Sequence, residues 1–203
     1  MTNIPKPNFQ KELEKVLKKL EGQTPRLLLH ACCAPCSSYV LEYLSNYFKI
    51  TVFFYNPNIT DEGEYKKRVE EVKRLIAEMD LPNEVDVLEG RYEPEEFFEM
   101  ARGLESEPEG GSRCYECYKM RLKEAAFIAA KYKYPYFTTT LSISPHKNAI
   151  WINELGKEME EEYGGSFLPS DFKKKNGFKR SIELSEEYHL YRQNFCGCVY
   201  SRN

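Results

Sequence analysis

The stretch "RLLLH" at positions 26–30 is apolar at three consecutive residues, Leu27, Leu28 and Leu29. A strand with one wet face alternates apolar and polar residues. A consecutive apolar run needs cover on both faces, as in a parallel sheet layered between helices. "ITVFFYNPN" at 50–58 repeats the pattern and closes in an Asn-Pro-Asn turn. "EVDVLEG" at 84–90 reads as a shorter third strand, "PYFTTTLSIS" at 135–144 as a fourth, and "GGSFLPSDF" at 164–172 holds a fifth.

Helical spacing fills the gaps between these runs. Phe9, Leu13, Val16, Leu17 and Leu20 share one face, and Tyr65, Val69, Val72, Ile76 and Met79 another. Pro35 suits a first helical turn, so a helix is expected over Cys36–Tyr47. Further helices are expected around "PEEFFEMARGL", through Tyr118, Leu122, Ala125 and Ala129, and from a Ser144 cap and Pro145 onward through Ile152, Leu155, Met159 and Tyr163. A last short helix fits "SEEYHLYRQNF", with Ser185 as its cap. Alternating strands and helices with no linker predict one α/β domain over 1–203, of which 1–25 form an N-terminal helix and linker. Its sheet would be five-stranded and mostly parallel, with helices on both faces.

Composition removes several classes. With 41% hydrophobic and 14% aromatic residues, the 203-residue chain is globular rather than disordered. No apolar run reaches the roughly 18–20 residues of a membrane span. The start of the chain lacks a secretion-signal layout, so a cytoplasmic location without membrane partners is the expectation. A net charge of −3 does not favour nucleic acid overall. Locally, "DFKKKNGFKR" gathers Lys173, Lys174, Lys175, Lys179 and Arg180, either a solvated loop or a phosphate-contacting patch.

The seven cysteines fall in three groups: Cys32, Cys33 and Cys36 in C-C-x-x-C, Cys114 and Cys117 in C-x-x-C, Cys196 and Cys198 in C-x-C. Such spacings let neighbouring thiolates reach one metal or one cluster, which describes zinc or iron–sulfur chemistry. Three features favour iron–sulfur. Seven thiols exceed the need of one structural zinc. The first group follows strand one, at the carboxyl edge where α/β sheets bind ligands, as do "SISPHKN" after strand four and Asp171 after strand five. Cys36 falls in a helix's first turn, where thiolate is stabilised. A thioredoxin-like dithiol is the lesser alternative. Cys196 and Cys198 are open between metal ligands, a redox pair and free thiols.

Assembled in order, "HACCAPCSSY", "FFYNPNI", "EGGSRCYECYKMRL", "YFTTTLSISPHKN" and "SFLPSDFKKKNGFKRSIELSEEYHLYRQNFCGCVYS" make the chain from Leu28 to Ser201 closely resemble the QueH family of epoxyqueuosine reductases. The resemblance implies a nucleotide-binding topology of the HUP or PP-loop kind, with cysteines where those enzymes carry a phosphate loop. It implies removal of the epoxide oxygen of epoxyqueuosine in the anticodon loop of tRNA, without cobalamin. It implies a [4Fe-4S] cluster held by three cysteines and an aspartate, beside a mononuclear iron held by cysteines. The ligand candidates are then Cys32, Cys33, Cys36, Cys114, Cys117 and Asp171, with Cys196 and Cys198 undecided.

Epoxide-to-alkene reduction takes two electrons and two protons, so a redox cofactor and an external electron donor are expected. His146 and His30 are the proton-donor candidates, His30 having the alternative of a satisfied core histidine. Ser142 and Lys147, beside His146, are candidates for substrate contact, and Lys173–Lys175, Lys179 and Arg180 for tRNA. Tyr115 and Tyr118 either stack on a base or pack in the core. The competing functions are an iron–sulfur desulfidase or sulfur-transfer enzyme and a zinc-stapled RNA-binding protein.

Overall fold

β1 (Arg26–Ala31) sits at the centre of the sheet, where a run apolar on consecutive positions belongs. The computed structural model describes residues 7–20 and 22–201; the first six positions of the expected 1–25 segment, residue 21 and the last two residues lie outside that range. β2 (Lys49–Phe54), β3 (Val85–Glu89), β4 (Tyr136–Thr139) and β5 (Ser166–Phe167) complete a five-stranded sheet of order β3-β2-β1-β4-β5. Every pairing is parallel, with Leu28 opposite Thr51 on one side and Phe137 on the other. The chain winds outward from β1 to β3, then returns to build β4 and β5 on the opposite side. The loops leaving β1 and β4 therefore diverge and open a crevice at their carboxyl ends.

Both faces of β1 are covered. Leu27, Leu29 and Ala31 pack with Leu13 and Leu17 of α1 (Phe9–Leu20), Val40 and Leu41 of α2 (Ala34–Leu44), and Val69 and Val72 of α3 (Glu62–Glu78). Leu28 packs on the other face with Leu122 and Ala125 of α5 (Ser112–Lys131) and Ile152 and Leu155 of α6 (Ala149–Tyr163). α4 (Pro94–Ala101) seats Phe97 and Ala101 against Cys117 and Cys198 in a smaller cluster. α7 (Gly177–Glu187) is the last α-helix among the described residues and packs on α2, and a 3₁₀ turn over Val199–Ser201 follows it. Among the described residues no helix is long and apolar enough to cross a membrane.

Four local expectations change. The fourth strand stops at Thr139, whose hydroxyl accepts from Leu141 N and starts a 3₁₀ turn over Thr140–Ile143. Helix α6 begins at Ala149 rather than Pro145, because Asn148 accepts from both Ile150 N and Trp151 N and outcompetes Ser144 as the cap. Helix α2 ends at Leu44 rather than Tyr47. The final helix lies earlier than expected. Ser185 is buried inside α7 with its hydroxyl donating to Ser181 O, so it does not cap a helix beginning there.

Candidate metal centre

Cys33 is the residue before α2, with extended backbone (φ −172°, ψ 161°), and Cys36 is three positions further on. Residues so related face each other across a helix start, as in a capping box. Cys32 closes from the strand side, its Sγ 3.8 Å from that of Cys33. The Sγ atoms of Cys32, Cys33 and Cys36 all lie within 4.8 Å of one another, and among the described residues no other three Cys, His, Asp or Glu ligand atoms come so close. A strand, a turn and a proline-initiated helix thus present a tripod of thiols, a donor set suited to zinc or an iron–sulfur cluster. Hydrogen bonds from Cys33 and Cys36 hold the Cys32 thiol well below its ordinary range, with Lys147 and Arg121 assisting against burial. The bond to Cys32 pushes Cys33 up to about 12, and the bonds to Cys32 and Cys33 raise Cys36. The first negative charge in the tripod therefore rests on Cys32.

The other four cysteines are all free thiols and come from two distant segments. Cys114 lies in the first turn of α5, where Gly110 N donates to its Sγ at 3.2 Å, and Cys117 follows one turn on. Arg113, almost wholly buried, fixes the loop before that helix by donating from Nη1 to the carbonyls of Leu104, Glu105 and Glu107 at 2.9, 2.9 and 2.5 Å. The C-terminal segment is anchored by its backbone: Arg68 donates to Cys196 O at 3.2 Å and to Phe195 O at 3.4 Å, and Asn58 donates to Cys196 O at 3.4 Å. Gly197 has φ +101°, and a Cβ there would stand 2.7 Å from Ile59 Cγ1, so only glycine lets the segment lie this close. Cys198 packs with Cys117, and Cys196 interacts electrostatically with Cys114 and Cys117. Burial raises the thiols of Cys114 and Cys198 and pushes Cys117 up to about 12. These four converge loosely rather than in a tripod.

A cavity of about 430 Å³ joins the two sets, with Cys36 and Cys196 both on its wall. That is within the size range of small-molecule sites. His146 and Lys147 line it from the turn before α6, and Arg192 and Gln193 from the C-terminal segment. His146 is exposed, its backbone N donating to Ser144 Oγ. Lys147 is half-buried; burial opposes its charge, but the neighbouring cysteines Cys196, Cys32 and Cys36 raise it above the ordinary lysine range.

The remaining predicted residues lie elsewhere. His30 is fully buried, Nδ1 lying 2.8 Å from Thr139 Oγ1 and Nε2 3.0 Å from Tyr55 O. Burial and then the charge of Arg121 lower it to about 3, which fits a neutral core histidine. Ser142 is buried with its hydroxyl 2.9 Å from Ser170 Oγ, tying the end of β4 to the loop after β5. Asp171 Oδ1 lies 2.9 Å from Lys173 Nζ, an ion pair too poorly aligned to be a hydrogen bond, and among the described residues it is not part of the thiol tripod. Tyr118 is core, and Tyr115 meets Trp151 edge-on at 5.3 Å. In the basic run, Lys175 pairs with Glu14, Lys179 with Glu183 at 3.9 Å and Arg180 with Glu42 at 2.6 Å. Lys174 is exposed with no ion pair among the described residues.

Sequence reading missed the supports: Asn58, Arg68, Arg113 and Arg121. Arg121 alone left a signal, standing four residues after Cys117 and hence on the same helix face.

A family profile described as epoxyqueuosine reductase QueH matches residues 27–203. The chain is 44% identical over 200 residues to the epoxyqueuosine reductase QueH of Streptococcus pyogenes, spanning 97% of this chain and 78% of the relative. Identity to the protein of that name from Staphylococcus epidermidis is 43%, over 97% and 85% of the two chains. For the Thermotoga maritima relative it is 36%, over 86% and 89%.

Proposed function

The chain belongs to the QueH family of epoxyqueuosine reductases, and from that premise we propose that it reduces epoxyqueuosine in tRNA to queuosine, consuming two electrons and two protons and releasing the epoxide oxygen as water. The observation that carries this reading is the thiol tripod opening beside a cavity large enough for a modified base. The tripod suits an iron–sulfur cluster, with Asp171 as the candidate for its carboxylate ligand, and the set around Cys196 suits a second iron held by cysteines. Bound there, these metals supply the electrons that no side chain can, drawn from an external donor.

The chain's own residues have separate tasks. Cys32, Cys33 and Cys36 hold the redox group at the end of β1. His146, exposed on the cavity wall, delivers a proton toward the opening epoxide. Lys147 places a cation between thiolates and cavity, where negative charge develops on oxygen. A splayed anticodon-loop nucleotide reaches such a cavity more readily than a paired base. Among the described residues Lys174 is the cation of the basic run without an ion pair, and it is the phosphate contact there; Lys174→Glu should weaken tRNA binding and lower its salt slope by about one. This reading places the protein with its tRNA in the cytoplasm.

The test is anaerobic incubation of iron- and sulfide-reconstituted protein with epoxyqueuosine-containing tRNA and a strong reductant, followed by nucleoside mass analysis. Loss of one oxygen supports the reading. An intact epoxide with sulfide release would point to desulfidase chemistry instead.

A further inference from the structure

Arg121 is fully buried, yet its side-chain partners are Asn56, His30 and the Cys117 thiol, with no carboxylate among them. Nη2 donates to Asn56 Oδ1 at 2.5 Å, Nε lies 3.4 Å from His30 Nε2, and among the described residues Nη1 has no hydrogen-bond partner. Among the described residues it forms no ion pair with a carboxylate. The comparison within the molecule is Arg68, equally buried but 2.7 Å from Glu64. A guanidinium cannot shed its proton, so one enclosed without a counter-ion is a large cost unless negative charge arrives from elsewhere. The ionisable groups around Arg121 are thiols, which become anionic when they bind a metal: Cys117 one turn back on α5, with Cys32 and Cys196 also acting on it. Lys147, on the cavity wall, also acts on Cys32 and Cys196, so two cations, one wet and one dry, serve the same cysteines.

We propose that Arg121 is the fixed counter-cation of the cysteine-bound metal centre, a positioning residue that favours gathering several thiolates and favours the reduced state of any redox metal they hold. This rests on the reading of the cysteines as a metal centre. The role explains two otherwise separate facts: the missing carboxylate and the unpartnered Nη1. Asn56, whose Nδ2 donates to Ala31 O at 2.8 Å, ties the guanidinium to the end of β1, from which the tripod hangs.

The test uses two readouts that do not depend on turnover. Apo protein is titrated with Co²⁺, following thiolate-to-cobalt charge-transfer absorbance, and reconstituted protein is redox-titrated with EPR detection. Arg121→Met should lower Co²⁺ affinity about tenfold or more and move the midpoint potential negative. Arg121→Lys, which keeps the charge, should recover most of both. Asn56→Asp is nearly isosteric, at the loss of the bond to Ala31 O; its carboxylate would neutralise the guanidinium and shift both readouts as Met does. This variant carries the test if Arg121→Met does not fold. Wild-type affinity and potential in either neutralising variant would overturn the proposal, as would equal losses in the Lys and Met variants. A wild-type chain that gives no cobalt–thiolate band would overturn the metal-centre reading itself.

Discussion

The cysteines of the β1–α2 turn and those of α5 with the C-terminal segment have the same chemistry but are built differently. Cys32, Cys33 and Cys36 fall within five residues, and their approach follows from structure the core requires anyway: a central strand, an extended turn and a proline-started helix. Cys114, Cys117, Cys196 and Cys198 need a helix start fixed by Arg113, a backbone held by Arg68 and Asn58, and a glycine at φ +101°. A locally built site costs little to organise and comes preformed. An assembled one depends on residues that never touch the metal, and its strength is tied to the packing of distant segments.

That difference can be broken by mutation. Cys33→Ser should reduce Co²⁺ affinity on the order of a thousandfold while the apo chain's urea midpoint stays within about 0.5 kcal/mol of wild type. A large stability loss would mean that the tripod is a structural staple. Arg68→Met should do the reverse: urea denaturation should show a loss of about 3 kcal/mol, because Glu64 keeps a charge that is only 12% exposed while the C-terminal anchor goes. An unchanged midpoint would show that the segment is held by other means. Gly197→Ala should cost about 1–3 kcal/mol and disturb metal binding at Cys196 and Cys198 while sparing the tripod. Equal damage to both sets in a cobalt titration would end the distinction between them.

The smallest effect concerns protons. Cys32 is already held low in the apo chain, whereas Cys33 and Cys36 are raised, so loading the tripod near pH 8 should release about two protons rather than three. Calorimetry in buffers of different ionisation enthalpy measures this number. Affinity should rise with pH through the neutral range, since the displaced protons come from thiols whose ordinary range is higher still. Release of three protons would place no thiolate in the resting tripod.

The same contrast explains what the sequence allowed. Consecutive apolar residues located β1, C-C-x-x-C located the tripod, and the alternation of elements gave the parallel sheet. Each is a local pattern with a local cause. The last helix was misplaced because Lys173–Arg180 reads as a solvated run, whereas Arg180 is engaged by Glu42 across 138 residues and Lys175 by Glu14. His30 reads as a functional histidine beside cysteines, but the structure surrounds it with Thr139, Tyr55 and Arg121, all distant in sequence. The motif around Ser142 does not announce Ser170, which is 28 residues away in sequence and whose hydroxyl lies 2.9 Å from that of Ser142. Ligands announce themselves by type and spacing; the buried arginines that hold them in place do not.

The central claim, a thiol tripod carrying redox iron, is tested most directly by iron and sulfide analysis with Mössbauer spectra on anaerobically prepared protein, wild type beside Cys32→Ser. The account predicts sulfide-bridged iron in the wild type and its loss in the variant. Zinc alone in the wild type, or sulfide-bridged iron fully retained without Cys32, would contradict it.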